Sequence, residues 1–133
     1  MKSSLLAKAA RWLGLSLALS ACSHDYRLMK MDEQLNRYGG MIRWSLFKKS
    51  MEYYEQIPSP MPDWKRLSDI KVTYYQPLFR DTLSNGNLIL QTVEVRYVHS
   101  SDVIERTLTY DQRWRYDEAK DRWLLESGFP QFK

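Results

Sequence analysis

The chain has 133 residues with 20 basic and 16 acidic side chains, a formal net charge of +4 at pH 7. Three basic residues and no acidic one precede the single cysteine, Cys22, so the part that begins there carries 17 basic against 16 acidic groups. Near neutrality excludes the concentrated cationic face that nucleic-acid binding needs. Five Trp, nine Tyr and four Phe are typical of a folded chain and exclude a disordered one.

The first predicted element is an export signal. Lys2, Lys8 and Arg11 precede a short apolar segment, residues 12–19, which is the layout of a secretory leader and too short to span a bilayer. The "LSAC" stretch at residues 19–22 resembles the lipobox of bacterial lipoproteins, in which the cysteine sulfur accepts a diacylglycerol.

That resemblance implies a lipid anchor and a location. Cys22 would become the mature N-terminus, with a diacylglycerol on its sulfur and an acyl chain on its amine, and each buried methylene contributes about 0.8 kcal/mol to membrane binding. Ser23 rather than Asp favours the outer membrane, facing the periplasm. The alternatives for Cys22 are a free thiol of a soluble domain or a disulfide with a partner molecule. Since a lone unmodified cysteine is a liability in an oxidising compartment, acylation is favoured.

The predicted organisation has three parts: a signal peptide at 1–21, a lipidated N-terminus and tether at 22–30, and one domain at 31–133. Removal of the leader leaves 112 residues, which suits a single domain with its own core. The domain opens with a helix whose apolar face combines Met31, Leu35, Tyr38 and Ile42. Gly39-Gly40 weakens this helix near its end.

A second helix is predicted to begin at Ser45 as N-cap, with a stripe of Phe47, Met51 and Tyr54. The "IPSPMPDW" stretch at 57–64 has alternate prolines and predicts an extended linker. A ligand for a proline-reading domain is the other interpretation of this stretch. One helical turn over residues 64–67 then precedes the sheet.

From Ile70 the apolar period changes to two, which predicts strands. A hairpin centred on Asn85-Gly86 follows, since both residues tolerate positive φ. It pairs Leu78 with Val93, Gln76 with Val95 and Tyr74 with Tyr97. A second turn centred on Ser100-Ser101 pairs Tyr97 with Ile104, Val93 with Leu108 and Gln91 with Tyr110. After a third turn, Trp123 and Leu125 face Tyr116 and Trp114.

The predicted fold class is therefore α+β, with two or three N-terminal helices on a curved, cone-like, four-stranded antiparallel meander. The helices cover the face that carries Ile70, Val72, Val93, Val95, Leu108 and Trp114.

A family resemblance supports this order of elements. The stretch "YGGMIRWSLFKKSMEYY" resembles the opening helices of the nuclear transport factor 2-like (cystatin-like) superfamily. The stretches "IKVTYYQPL" and "QTVEVRYVHSSDVIERTLTYDQRWRYDEAKDRWLLES" resemble its closing sheet. Within it, the chain is similar to uncharacterised bacterial lipoproteins of this size. The resemblance implies a cone that accepts small apolar ligands, and in some members isomerase, dehydratase or hydrolase chemistry that uses an acid or a His–Asp pair.

The predicted inner face lacks that catalytic equipment. Its polar positions are Gln91, Arg106, Tyr110 and Gln112, with no carboxylate, so we expect no catalytic residues. His24 and His99 lie in the tether and at a turn, so we expect no metal and no cofactor besides the acyl groups. The four polar side chains either line a small-ligand pocket or bond to one another.

The opposite face predicts an interface. Phe79, Leu83, Leu88 and Leu90 cluster around the hairpin and point away from the helices, unless a bulge near Pro77 turns some of them inward. Members of the superfamily often dimerise through this face, so a homodimer is the first expected partner and an envelope protein the second. The leading hypothesis is a lipid-anchored, non-catalytic, protein-binding module, and the alternative is a small-ligand binder or weak enzyme that uses the cone pocket.

Overall fold

The computed structural model describes the backbone of residues 2–133 and the side chains of residues 22–133; the side chains of the predicted leader lie outside the described residues. The helical elements are α1 (Lys2–Arg43), α2 (Phe47–Ser50), a 3-10 turn (Met51–Tyr53) and α3 (Trp64–Leu67). The strands are β1 (Ile70–Leu83), β2 (Leu88–His99), β3 (Arg106–Asp117) and β4 (Arg122–Leu125). The strands form one antiparallel sheet in the order β1-β2-β3-β4. The α+β class is confirmed.

One face of the sheet, called the inner face below, packs against α1. The predicted stripe of Met31, Leu35, Tyr38 and Ile42 is fully buried there, as are Ile70, Val72, Val93, Val95 and Trp114 from the strands. Leu108 is partly buried against the same core. The spacing of three and four residues therefore identified the buried face of α1 correctly.

The segment predicted as a tether is helical, because α1 already includes residues 23–30. Polar contacts hold this first part of the helix against the sheet: Arg27 Nη1 donates to Asn87 Oδ1 at 2.7 Å, and Lys30 Nζ lies 2.6 Å from Asp121 Oδ2. Leu28 continues the apolar spacing and is partly buried against the core, whereas these contacts use charged side chains, which the apolar periodicity does not indicate.

Ser45 is not the N-cap that the sequence predicted. The residue before α2 is Leu46, and Ser45 has a left-handed backbone with φ of 58°. The Ser45 hydroxyl instead accepts a hydrogen bond from Val72 N at 3.0 Å, while Arg43 Nη1 donates to Val72 O at 2.8 Å. These two side chains satisfy the backbone of β1 where its edge has no strand beside it.

The register of β1 against β2 matches the prediction only near the hairpin. Leu83 pairs with Leu88 and Phe79 with Thr92, but irregularities between Pro77 and Phe79 and between Val72 and Tyr74 each shift the register by one residue. The predicted partners of Leu78, Gln76 and Tyr74 are therefore wrong. Tyr75 opposes Val95 on the inner face, Tyr74 stacks under Arg96 instead of facing inward, and Leu78 is exposed.

The register of β2 against β3 differs from the prediction by two residues, which preserves the faces but changes the pairs. Tyr97 opposes Arg106, Val93 opposes Tyr110 and Gln91 opposes Gln112. The connecting loop is longer than predicted because Asp102 accepts bonds from Ile104 N and the Arg106 guanidinium, which leaves Ile104 exposed. For β3 and β4 the predicted pairs of Trp123 with Tyr116 and Leu125 with Trp114 are confirmed.

Candidate functional site

Three of the four polar residues predicted to line a pocket meet inside the domain. Gln91 and Gln112 are buried next to each other, and Gln91 Nε2 donates to Gln112 Oε1 at 3.1 Å. Tyr110 joins them because its hydroxyl accepts from Gln112 Nε2 at 2.7 Å. Arg106 lies elsewhere: it pairs with Asp102 at 3.2 Å near the β2–β3 loop. Arg106 therefore does not join the other three polar residues.

Gln112 is the centre of this buried polar network. Its Nε2 also donates to the Tyr75 hydroxyl at 3.0 Å, and its Oε1 accepts from Trp114 Nε1 at 3.0 Å. With two donated and two accepted bonds, the amide uses its full hydrogen-bonding capacity. A group so completely satisfied inside the protein stabilises the sheet and leaves no polar atom of Gln112 for a ligand.

Arg80 and Tyr75 belong to the network, although the sequence had not placed them there. Arg80 Nε donates to Gln91 Oε1 at 2.8 Å, and Arg80 Nη1 reaches Asp32 Oδ1 of α1 at 2.9 Å. Tyr75 enters the inner face because the two irregularities in β1 lie on either side of it, whereas Arg80 opposes Gln91 in the register that the hairpin predicted. Pro77, which cannot donate a ladder hydrogen bond, was the available sequence signal for such a shift.

The tyrosines of this region are poor acids. Burial raises the pKa of the Tyr38, Tyr54, Tyr75 and Tyr110 hydroxyls above the ordinary value of 10.0. The hydroxyls of Tyr38 and Tyr54 also contact each other at 3.2 Å. All four phenols therefore stay neutral at physiological pH, where they can donate and accept hydrogen bonds but cannot act as general bases.

The two histidines lie apart from the network. His24 packs against Gly86, and the His99 ring contacts the Lys133 carbonyl at 2.7 Å. Among the described side chains no cluster of three potential metal ligands occurs.

Three surface clefts occur away from the network. One of about 330 Å³ separates the proline-rich segment from the C-terminal residues, and the other two, of about 530 and 310 Å³, flank the turn after α1. None of these three clefts is lined by Gln91, Tyr110 or Gln112.

The predicted interface residues lie on the other side of the sheet, which we call the outer face. Phe79, Leu83 and Leu90 are 63%, 38% and 36% exposed, and we call these three the outer-face patch. Leu88 belongs to the same face but is only 9% exposed, so its predicted contribution of an exposed side chain is wrong. The irregularity at Pro77 does not turn the other three inward. Phe79 and Leu83 follow it in β1, and Leu90 belongs to β2.

Charged residues flank this patch in an ordered way. Asp81 opposes Leu90, which in turn opposes Arg113, so one row across three strands has a carboxylate, a leucine and a guanidinium. Arg113 also pairs with Glu126 at 2.8 Å, whereas Asp81 makes no ion pair with any side chain of residues 22–133.

Cys22, the predicted lipidation residue, is exposed and has no disulfide partner among the described residues. No helix in the described part of the chain is both long and apolar enough to cross a membrane. Comparison with protein-family models, with curated proteins and with solved structures gives no match for this chain.

Proposed function

We propose that the chain is a non-catalytic lipoprotein of the bacterial envelope that associates with protein through its outer face. In this proposal residues 1–21 are removed as a signal peptide. Cys22 then carries a diacylglyceryl thioether, in place of its thiol proton, and an acyl amide on its new N-terminus. The anchor holds the domain in the outer membrane, facing the periplasm. The cone-like curvature of the cystatin-like superfamily belongs to the same proposal.

The observation that carries this function is the outer-face patch. Phe79 and Leu90 are diagonal neighbours on adjacent strands, which places their Cβ atoms about 7 to 8 Å apart. Leu83 lies two residues beyond Asp81 along the same strand. Within residues 22–133 no helix packs over this face, since α1 covers the inner one. Exposed apolar groups that are contiguous on one face are typical of a protein interface.

A second copy of the chain is the partner that the charges favour. If two sheets pack face to face about a two-fold axis that runs along β2 at Leu90, each Asp81 lies against Arg113 of the partner subunit. The leucines then meet at the centre. The contact is self-complementary, as an interface between identical subunits must be. It would also give Asp81 a cationic partner, which it lacks among the side chains of residues 22–133.

Substitutions can test this interface directly. Leu90→Glu places a charge at the axis and should abolish the dimer, while Ile104→Glu adds the same charge at a residue that is 64% exposed but outside the patch. Asp81→Arg should weaken association through like-charge repulsion with Arg113, and Asp81→Arg combined with Arg113→Asp should restore it. Sedimentation and crosslinking of the detergent-solubilised protein measure these changes. An unchanged dimer in Leu90→Glu, or a monomer in the unsubstituted protein, contradicts the proposed partner.

The anchor has its own test. Cys22→Ala should stay unprocessed and lose the acyl mass from its N-terminal peptide, whereas Ser23→Ala should be processed and acylated. Mass spectrometry of protein purified from envelopes distinguishes these results. A Cys22 that is unmodified, with the leader still attached, would contradict lipid anchoring without bearing on the dimer.

A further inference from the structure

The part of α1 that follows Cys22 is fixed to the sheet within a few residues of the anchor position. The His24 ring lies so close to Gly86 that a Cβ at that glycine would be 2.9 Å from His24 Cε1. One turn later, Arg27 Nη1 donates to Asn87 Oδ1 at 2.7 Å. Both partners belong to the loop that joins β1 to β2.

A second set of contacts ties the same turn of α1 to the β3–β4 loop. Lys30 Nζ donates to both the carboxylate and the carbonyl oxygen of Asp121, at 2.6 and 2.9 Å. Trp123 Nε1 donates to Arg27 O at 3.1 Å, so the helix backbone itself is bonded to β4. Because residues 24–30 of α1 are bonded to two separate loops, this part of the helix cannot rotate about either loop.

The segment that connects the lipid to the folded domain is therefore short. Only two residue steps separate Cys22 from His24, and a fully extended chain spans at most about 3.6 Å per residue, or roughly 7 Å here. A free tether of eight residues, as the sequence suggested, would reach about 29 Å. This difference in the length of the connecting segment decides whether the domain can invert relative to the membrane.

The two ends of the sheet are far apart on this scale. β2 has 12 residues between the hairpin and the β2–β3 loop, which at about 3.3 Å per residue corresponds to roughly 40 Å. The loops at residues 84–87 and 118–121 lie at the anchored end, and the loop at residues 100–105 lies at the opposite end. A connection of about 7 Å excludes the inverted orientation, in which the opposite end would face the lipid and the anchored end would lie roughly 40 Å away from it.

We infer that the domain stands on the lipid surface in one orientation, with the β1–β2 and β3–β4 loops against the headgroups. This inference rests on the proposed acylation of Cys22. The exposed side chain of Met29 and the partly exposed Leu83 lie at this end, where they suit the boundary between headgroups and acyl chains. The outer-face patch begins at Leu83, so its partner must be held close to the same membrane, as a second anchored copy would be.

Charge does not set this orientation. The anchored end combines basic Arg27, Lys30 and Lys120 with acidic Asp25, Glu118 and Asp121. Because the two signs are equal in number, a uniformly charged lipid surface has no net attraction for this end. The short covalent connection and the docked helix impose the orientation. The orientation should therefore be insensitive to ionic strength.

The single cysteine makes this testable. In the acylated protein Cys22 has no free thiol, so a cysteine introduced at Lys120 or at Ser101 becomes the only site for a thiol-reactive fluorophore. Both are exposed turn residues, at the anchored and the opposite end respectively. The labelled proteins are inserted into phosphatidylethanolamine and phosphatidylglycerol vesicles that contain a headgroup nitroxide quencher.

We expect most of the fluorescence at position 120 to be quenched and little of it at position 101, with or without added salt. Equal quenching at both positions, or stronger quenching at 101, overturns the orientation. Combining Arg27→Ala with Lys30→Ala should release residues 24–30 of α1 from the sheet. It should therefore reduce the difference in quenching between positions 120 and 101. Labelling of the protein without an introduced cysteine would instead show a free Cys22 thiol, which is a failure of the proposed acylation and not of the geometry.

Discussion

The two adjacent glycines of α1 should respond in opposite ways to the same substitution. A Cβ at Gly40 meets no atom within 4 Å, whereas a Cβ at Gly39 would lie 2.6 Å from Tyr75 Cε1. Alanine is more favourable than glycine in a helix interior by about 1 kcal/mol. Gly40→Ala should therefore raise the free energy of unfolding by about 1 kcal/mol.

Gly39→Ala gains the same helix propensity but forces the Tyr75 ring to move. That ring is held by the bond from Gln112, and overpacking of this kind costs about 1 to 3 kcal/mol. The net effect should range from neutral to a loss of about 2 kcal/mol. The two alanine variants should differ by about 1 to 3 kcal/mol, which for a domain of this size is at least several degrees in Tm.

Denaturant unfolding followed by tryptophan fluorescence measures both variants. The steric explanation also predicts that Tyr75→Leu, although destabilising by itself, makes the added Gly39→Ala favourable, because the smaller side chain leaves room for the methyl group. Equal midpoints for Gly39→Ala and Gly40→Ala would refute the close approach of α1 to β1. So would a Gly39→Ala effect that is unchanged when Tyr75 is leucine.

Three further predictions concern the polar contacts. Gln112→Leu should lower the free energy of unfolding by about 2 to 4 kcal/mol, since it leaves buried partners unsatisfied; a variant as stable as the parent would contradict the network. The bond from Lys30 holds the pKa of Asp121 below its ordinary 3.8. The ionised Asp121 carboxylate therefore stabilises the folded state fully above pH 3.8, and this stabilisation is lost as the pH falls through the lower folded-state pKa. Asp121→Asn should therefore show a shallower loss of stability in acid, and equal slopes in denaturation from pH 5 to pH 2.5 would count against this pair. Burial raises the pKa of Tyr75 and Tyr110, so the contribution of these neutral phenols to the free energy of unfolding is complete below pH 10.0 and is lost at higher pH. Their phenolate absorbance should therefore appear only with alkaline unfolding. Ionisation of every tyrosine near pH 10 in the folded protein would disprove this prediction.

The parts of the fold that the sequence predicted correctly depend on local pattern. The apolar spacing from Met31 to Ile42 fixes one face of a helix whatever packs against it. The Asn85-Gly86 turn has positive φ at both residues, 57° and 84°, and it sets the register of the strand ends beside it. The β3–β4 pairs were also predictable, because a short turn leaves few registers that bury both Trp123 and Leu125.

The errors occurred where a residue is inserted or a loop lengthened. Each irregularity in β1 adds one residue between ladder pairs, which moves Tyr75 inward and Tyr74 outward without changing the alternating pattern that the sequence shows. The contact of Asp102 with Arg106 lengthens the next loop by a similar local effect. The polar contacts of residues 24–30 depend on partners 60 or more positions away in the chain, such as Asp121, so the apolar period could not indicate them.

The buried network and the outer-face patch are two faces of the same strand. Gln91 points inward between Arg80 and Gln112, and its neighbour Leu90 points outward between Asp81 and Arg113. A slip of one residue in either ladder would bury a charge or a leucine on the wrong side and would break the amide bonds. Because a buried amide tolerates few partners, the Gln91 bonds select the one register in which Leu90 is exposed. The polar residues that resembled a ligand pocket in the sequence thus hold the outer-face patch in the arrangement on which the proposed interface depends.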